Sequence, residues 1–162
     1  VGRRAQRLKE ISDRDETTGL ADRSALDRKL AVEIARASAQ GGAVTLALID
    51  VDHFERVNRS FGYLAGNRLL RSVAERLTSE VLGERDVLAR LGGDEFAILL
   101  QGTSAQQAYP VSQRILRAFE RPITLDDHTV DLSAGVGIAS APEAFLGLLK
   151  GKNFGKQLVK LA

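Results

Sequence analysis

The amino-acid sequence predicts an α/β sandwich, one mixed sheet with helices packed on it. Three observations carry the prediction. The short, nearly unbroken apolar run Val44-Thr45-Leu46-Ala47-Leu48-Ile49 reads as a strand buried on both faces. Two more apolar runs, Val87 to Arg90 and Phe96 to Leu100, flank the turn residues Gly92-Gly93 and read as a hairpin. Around these strands, three stretches carry apolar residues at helical spacing.

Taken in order, residues 1–14 are charged, and Leu8 and Ile11 stand three apart, which predicts the last turns of an incoming helix. A turn follows over Asp15-Glu16-Thr17-Thr18-Gly19-Leu20. Ser24 offers an N-cap for a helix through about Ala39, with Leu26, Leu30, Ile34 and Ala37 on one face and Gly41-Gly42 ending it. Asp22 and Arg23 are expected to cap and pair around the same helix. Leu69, Leu70, Val73, Ala74 and Leu77 mark the second helix; Ala108, Val111, Ile115 and Ala118 mark a third over about Ala105 to Phe119. Ile123 to Leu125 and His128 to Asp131 read as a small hairpin around Asp126-Asp127, and Val130 to Ala139 as another core strand that Gly135 and Gly137 weaken. Pro142 opens a last helix that reaches Lys150 before Gly151.

At 162 residues, 44% hydrophobic and 27% charged, the chain has the size and composition of one soluble globular domain. The 23 cationic residues barely exceed the 21 anionic ones, and no base-stacking aromatic stripe accompanies them, so a nucleic-acid partner is not expected. Arg3-Arg4 and the Lys-rich tail from Lys150 read as solvated ends. The absence of cysteine excludes disulfides, thiolate metal sites and a Cys nucleophile. No apolar run reaches the roughly 18 residues that span a bilayer. A first residue of Val1 suggests a piece of a longer protein.

The chemistry is concentrated in acids. Strand alternation sends Asp50 and Asp52 to one side and Val51 to the other. Asp94 and Glu95 lie at the hairpin tip, where Gly92-Gly93 leave the backbone open to a close ligand. Carboxylates at the ends of neighbouring strands suit one or two Mg²⁺ ions shared with phosphates. The alternative is structural, with Asp52-His53 as a helix cap and the acids as ordinary turn residues. Phe54 and Phe61 read first as core, with nucleotide contact the alternative; His53 reads as a loop residue and His128 as surface.

Four motifs in order resemble the GGDEF family of diguanylate cyclases: Asp15-Glu16-Thr17-Thr18-Gly19-Leu20-Ala21-Asp22-Arg23; Asp50-Val51-Asp52-His53-Phe54 with Asn58, Gly62 and Gly66; Arg90-Leu91-Gly92-Gly93-Asp94-Glu95-Phe96; and Ser133-Ala134-Gly135-Val136-Gly137-Ile138-Ala139. The resemblance covers about residues 8 to 153 and implies a palm-like nucleotidyl-cyclase fold, a central, mostly antiparallel sheet flanked by helices. It implies an incoming helix end over 1–14 and one domain over 15–162. It further implies condensation of two GTP into cyclic di-GMP with release of pyrophosphate, a Mg²⁺ or Mn²⁺ cofactor and a homodimer. The host would be a longer bacterial signalling protein with this domain in the cytoplasm, membrane-anchored sensors among such hosts. Carried over by position, Asp50, the Val51 carbonyl, Asp94 and Glu95 would hold metal, with Asp50, Asp94 and Glu95 catalytic. Amides around Asp52, His53 and Phe54 would hold phosphate, Asn58 and Asn67 would face guanine, and Gly92-Gly93 would lie against the nucleotide.

The sequence also departs from that pattern. Glu55 stands where the family usually has Lys, Arg59 where Asp is common, and Asn67 where an Asp normally meets guanine. Leu149-Lys150 runs straight into Gly151-Lys152-Asn153, so about a dozen residues of the C-terminal helix are shortened or interrupted near 150–151, with Lys152 the remaining phosphate candidate. The inhibitory R-x-x-D positions hold Gly83 and Asp86, so only the acid is present. These departures support an alternative, a weak or inactive GGDEF domain that binds GTP and regulates an attached domain. The stretch Ile115 to Leu125 resembles domains joined to an EAL phosphodiesterase.

Overall fold

The structure, a computed structural model, describes residues 2–4, 13–139 and 159–160. Its centre is β1 (Val44–Val51), the strand that the apolar run predicts. Side chains alternate along it. Val44, Leu46 and Leu48 pack on one face with Leu26, Leu30, Ala89, Ala97 and Leu99. Ala47, Ile49 and Val51 pack on the other with Leu69, Leu70, Val73, Leu77, Phe96, Ile98, Leu100 and Ile115. One layer is α1 (Arg23–Gln40); the opposite layer is α3 (Tyr63–Glu80) and α4 (Ala105–Ala118).

The sheet runs β2 (Val87–Gly92), β3 (Glu95–Gln101), β1, β6 (Ala134–Ala139), β7 (Val159–Lys160). Every ladder in it is antiparallel, so the mixed sheet expected from periodicity is corrected to an antiparallel one. The reason lies in the crossovers. The helical connection from β1 to β2 passes over the position that β3 fills, and the one from β3 to β6 passes over β1. Strands that point the same way are therefore never neighbours. A separate hairpin, β4 (Ile123–Leu125) and β5 (His128–Val130), turns at Asp126, as the sequence predicts.

Three local expectations change. The α1 N-cap is Asp22, whose carboxylate accepts from the Ala25 amide at 2.9 Å; Ser24 is already inside the helix. The Val130–Ala139 run is not one strand, because Val130 pairs with Ile123 and the chain must cross 131–133 before joining β1. An unexpected helix, α2 (Phe54–Phe61), lies between β1 and α3. It is short, charged at Glu55, Arg56 and Arg59, and buries only Val57, too weak a pattern to read in advance. Gly62, at φ +90°, separates it from α3 and donates to the Asn58 carbonyl.

Residues 2–4 are helical, while Arg14 already pairs with Ala21 and the Asp22 amide donates to the Asp13 carbonyl. Leu8, Ile11, the Pro142–Lys150 helix and Gly151-Lys152-Asn153 lie outside the described residues. Among the described residues no helix is long and apolar enough to cross a membrane.

The cap yields a first prediction. Asp22→Ala leaves one amide of the first α1 turn unpartnered and should cost about 1 kcal/mol. Thermal melting should fall by about 2–4 °C for a domain of this size; an unchanged melting temperature would show that Ser24 or water replaces the cap.

Candidate functional site

Register brings the acids together. Asp50 pairs across β1–β3 with Glu95 and across β1–β6 with Gly135, which offers no side chain. The ladder runs one step further, with the Val51 amide donating to the Asp94 carbonyl at 3.0 Å. Partial desolvation, although the residue stays exposed, and the nearby charges of Asp94, Glu95 and Asp52, with a side-chain hydrogen bond to Asp94, push the Asp50 carboxyl up to about 6. Burial and Asp94 also raise Glu95, against an opposing pull from Arg23. Asp52 leaves the cluster at the strand end: its amide donates to the Ser133 carbonyl at 2.9 Å and its carboxylate accepts from the Ser133 hydroxyl at 2.8 Å.

The hairpin tip is held by a contact that sequence reasoning missed. Gly92 and Gly93 both adopt positive φ, and the register shifts between Arg90 and Gly92. Arg90 reaches along the turn and donates twice to the Gly93 carbonyl, from Nε at 3.1 Å and from a terminal nitrogen at 2.9 Å. Its other terminal nitrogen pairs with Asp15 at 2.9 Å, the two side chains only 13% and 17% exposed. Burial raises the Asp15 carboxyl, but hydrogen bonds from the Thr18 hydroxyl and amide and the Arg90 charge outweigh it and hold it below the usual range. The available signal was that Asp15, Thr18 and Arg90 each belong to a quoted motif; their mutual contact needed the fold.

A cleft of about 400 Å³ opens beside the tip, lined by Phe54, Glu55, Asn58, Arg59, Tyr63, Gly93 and Asp94. Phe54 is half-buried and also packs against the core. Asn58 is seated by a missing side chain. A Cβ at Gly66 would stand 1.8 Å from Asn58 Oδ1, an atom that is buried without a hydrogen-bond partner. Gly66 thus makes room for the amide, which explains the pairing of the two residues in one motif.

Asp52 and His53 face a different hollow of about 550 Å³, between α2 and residues 129–133. His53 holds the N-cap position of α2 at φ 60° without a side-chain cap bond, so the Asp52-His53 turn starts the helix through its backbone. Asn67 lines neither hollow, and Lys152 lies outside the described residues. Phe61, expected in the core, is exposed and stacks on the exposed His128 ring at 4.8 Å. Asp86 is engaged locally: its carboxylate accepts from the Gly83 amide at 2.8 Å.

Among the described residues no three His, Cys, Asp or Glu side chains converge tightly enough to chelate an ion alone. The donor chemistry nevertheless fits a hard divalent cation. Asp50, Asp94 and Glu95 supply crowded carboxylate oxygens whose mutual repulsion a cation would relieve, and Mg²⁺ ordinarily completes its shell with water, carbonyl and phosphate oxygens.

Two predictions follow from this geometry. A carboxyl raised in the folded state costs stability once it ionises, so the loss begins above the ordinary 3.8 and is complete above about 6. Asp50→Asn removes that loss. Because Asp50 is exposed to solvent that screens it, the gain should be about 1 kcal/mol near pH 8 and vanish towards about pH 4; melting curves at both pH values check it, and a gain independent of pH would contradict it. Gly66→Ala should destabilise by about 1–3 kcal/mol through overpacking, although helix propensity alone favours Ala by about 0.5–1 kcal/mol. Adding Asn58→Ala should recover most of the loss; an additive double mutant would mean that the two residues do not share this space.

Comparison with known proteins agrees with these motifs. Residues 12–146 match the family described as diguanylate cyclase, GGDEF domain. Cyclic di-GMP phosphodiesterase NbdA of Pseudomonas aeruginosa is 36% identical over 135 residues, 83% of this chain and 17% of NbdA. Diguanylate cyclase DgcP of the same organism is 36% identical over 136 residues, 83% of this chain and 20% of DgcP. The chain thus spans a fifth or less of the length of these curated relatives. A solved structure comprising only the GGDEF domain of P. aeruginosa TpbB (YfiN) superposes with a TM-score of 0.77 at 32% identity, covering 85% of this chain and 84% of that one. Sheet order, glycine hairpin and sequence likeness converge on one assignment: the chain belongs to the GGDEF-domain family of diguanylate cyclases.

Proposed function

We propose that this domain binds GTP with a divalent cation, Mg²⁺ or Mn²⁺, and, facing a second copy, condenses two GTP into cyclic di-GMP in bacterial second-messenger signalling. The observation that carries the reading is the gathering of Asp50, Asp94 and Glu95 at one sheet end, with Asp94 also lining the cleft that holds Asn58. Asp50, Asp94, Glu95 and the Val51 carbonyl would hold the cation, which when bound neutralises phosphate charge and makes an attacking hydroxyl more acidic. The turn of Asp52, His53 and Phe54 opens α2, where the amides of His53 and Phe54 and the positive helix end suit phosphate, the Asp52 amide being held by Ser133. The bare backbone of Gly92-Gly93 permits close approach of the nucleotide. Asn58 offers both a donor and an acceptor to the guanine edge, with Asn67 a weaker second contact and Lys152 a phosphate contact.

In each half-reaction the 3′-hydroxyl of one GTP gives up its proton to solvent, its oxygen bonds to the α-phosphorus of the other, and the bond from that phosphorus to the bridging oxygen breaks to release pyrophosphate. Two such steps close the ring. Each domain positions one nucleotide, so a homodimer is required, and alignment of the two nucleotides supplies much of the acceleration. The host protein would carry further domains, with this one in the cytoplasm.

A second reading is favoured by Glu55 and Arg59 in the cleft wall and by the likeness to a phosphodiesterase: a GTP-binding module that regulates an attached EAL domain. One experiment separates the two. Incubated with GTP and Mg²⁺, the full-length protein should form cyclic di-GMP, and Asp94→Ala should reduce the rate at least about 100-fold. Tight GTP binding by calorimetry with no product, even when two copies are linked, would replace the cyclase by the regulatory module.

A further inference from the structure

We propose that Arg59 is a specificity-determining residue that reads the edge of guanine carrying O6 and N7, an inference that rests on the GTP-binding reading above. Among the described residues Arg59 is the one cation in the lining of the 400 Å³ cleft. It is exposed, and among the described residues its guanidinium has neither a hydrogen bond nor an ion pair. Glu55 stands one turn earlier on α2, in the orientation that favours a Glu-to-Arg pair, yet no such pair forms. The guanidinium is thus uncommitted at the mouth of a cleft whose wall holds Asn58 beside it and Tyr63, 79% exposed, beyond it.

Position decides which part of a nucleotide it meets. The acids and the Asp52–Phe54 turn lie at the start of α2, the end suited to metal and phosphate. Arg59 is five residues past Phe54, about 7.5 Å further along the helix axis. That places it at the base end, next to Asn58. If Asn58 engages the Watson–Crick edge, the remaining polar edge of guanine presents two acceptors, O6 and N7, which match the paired donors of an arginine. Adenine presents N7 beside an amino donor at the same edge and would set donor against donor. Arg59 therefore adds discrimination at a site where Asn67, an amide lining neither hollow, contributes little.

Calorimetry on the 162-residue chain with Mg²⁺ tests this, using GTP and 7-deaza-GTP, which lacks the N7 acceptor. The parent should bind GTP about tenfold more tightly than 7-deaza-GTP. In Arg59→Met, which keeps an apolar stem and removes the donors, that ratio should fall to about one, with the melting temperature unchanged. A parent that does not distinguish the two nucleotides, or a preference that survives in Arg59→Met, overturns the assignment. An equal loss of affinity for both nucleotides in the variant also overturns it, because it would place Arg59 on phosphate. Failure of the parent to bind GTP at all removes the nucleotide reading itself, and is told apart because no variant is then needed.

Discussion

The position of β1 between β3 and β6 is the constraint on which the rest depends. Both faces of the strand are buried and both edges are hydrogen-bonded, so its register cannot relax. A slip of one residue would exchange its two side-chain sets, carrying Asp50 into the layer that holds Ile49 and Val51. Burying an unpaired carboxylate in that apolar layer is far more costly than any gain from repacking a methyl group. The hydrophobic alternation that folds the sheet therefore also decides where the acids emerge. Asp50 meets Glu95 because Leu46 meets Leu99 and Leu48 meets Ala97 along the same ladder.

Holding like charges together needs a counterforce at the hairpin tip. Arg90 supplies it through the backbone, since its two bonds to the Gly93 carbonyl stiffen a turn whose glycines would otherwise be free to open. Asp15 orients that guanidinium from outside the hairpin, and Thr18 in turn orients Asp15. Partial shielding from water makes each of these charged contacts stronger than its surface equivalent. The loop preceding α1 is thus part of the site's scaffold, although none of its residues lines the cleft.

How much of this was legible in the sequence varies with the physics involved. Strong periodicity located β1, α3, α4 and both hairpins, because burial of apolar side chains is the same force in every fold. Strand direction was not legible from periodicity, which is silent on which strands become neighbours; the resemblance to a known family supplied it. The helix α2 was missed because burial there falls on Val57 alone, and its start depends on the left-handed His53 backbone that no side-chain pattern announces. Within the site, spacing set four acids, Asp50, Asp52, Asp94 and Glu95, at neighbouring strand ends, and the fold then crowds Asp50, Asp94 and Glu95 together. The clasp from Arg90 to Asp15 joins residues 75 positions apart, and the seat that Gly66 makes for Asn58 crosses the break between α2 and α3, so only packing reveals them.

The Gly83–Asp86 turn has taken over the acid that remains of the R-x-x-D pattern. In the family pattern that acid would serve a bound molecule, whereas here it closes its own loop through the Gly83 amide. A Cβ at position 83 would stand 2.9 Å from the Asp86 carboxylate, so a larger residue there would turn that side chain away from the Gly83 amide. Regaining an arginine there would cost the Gly83–Asp86 contact but no backbone rearrangement, since Gly83 does not adopt positive φ. The acid left of the R-x-x-D pattern is thus committed to its own loop, and any ligand that called on it would first have to break that bond.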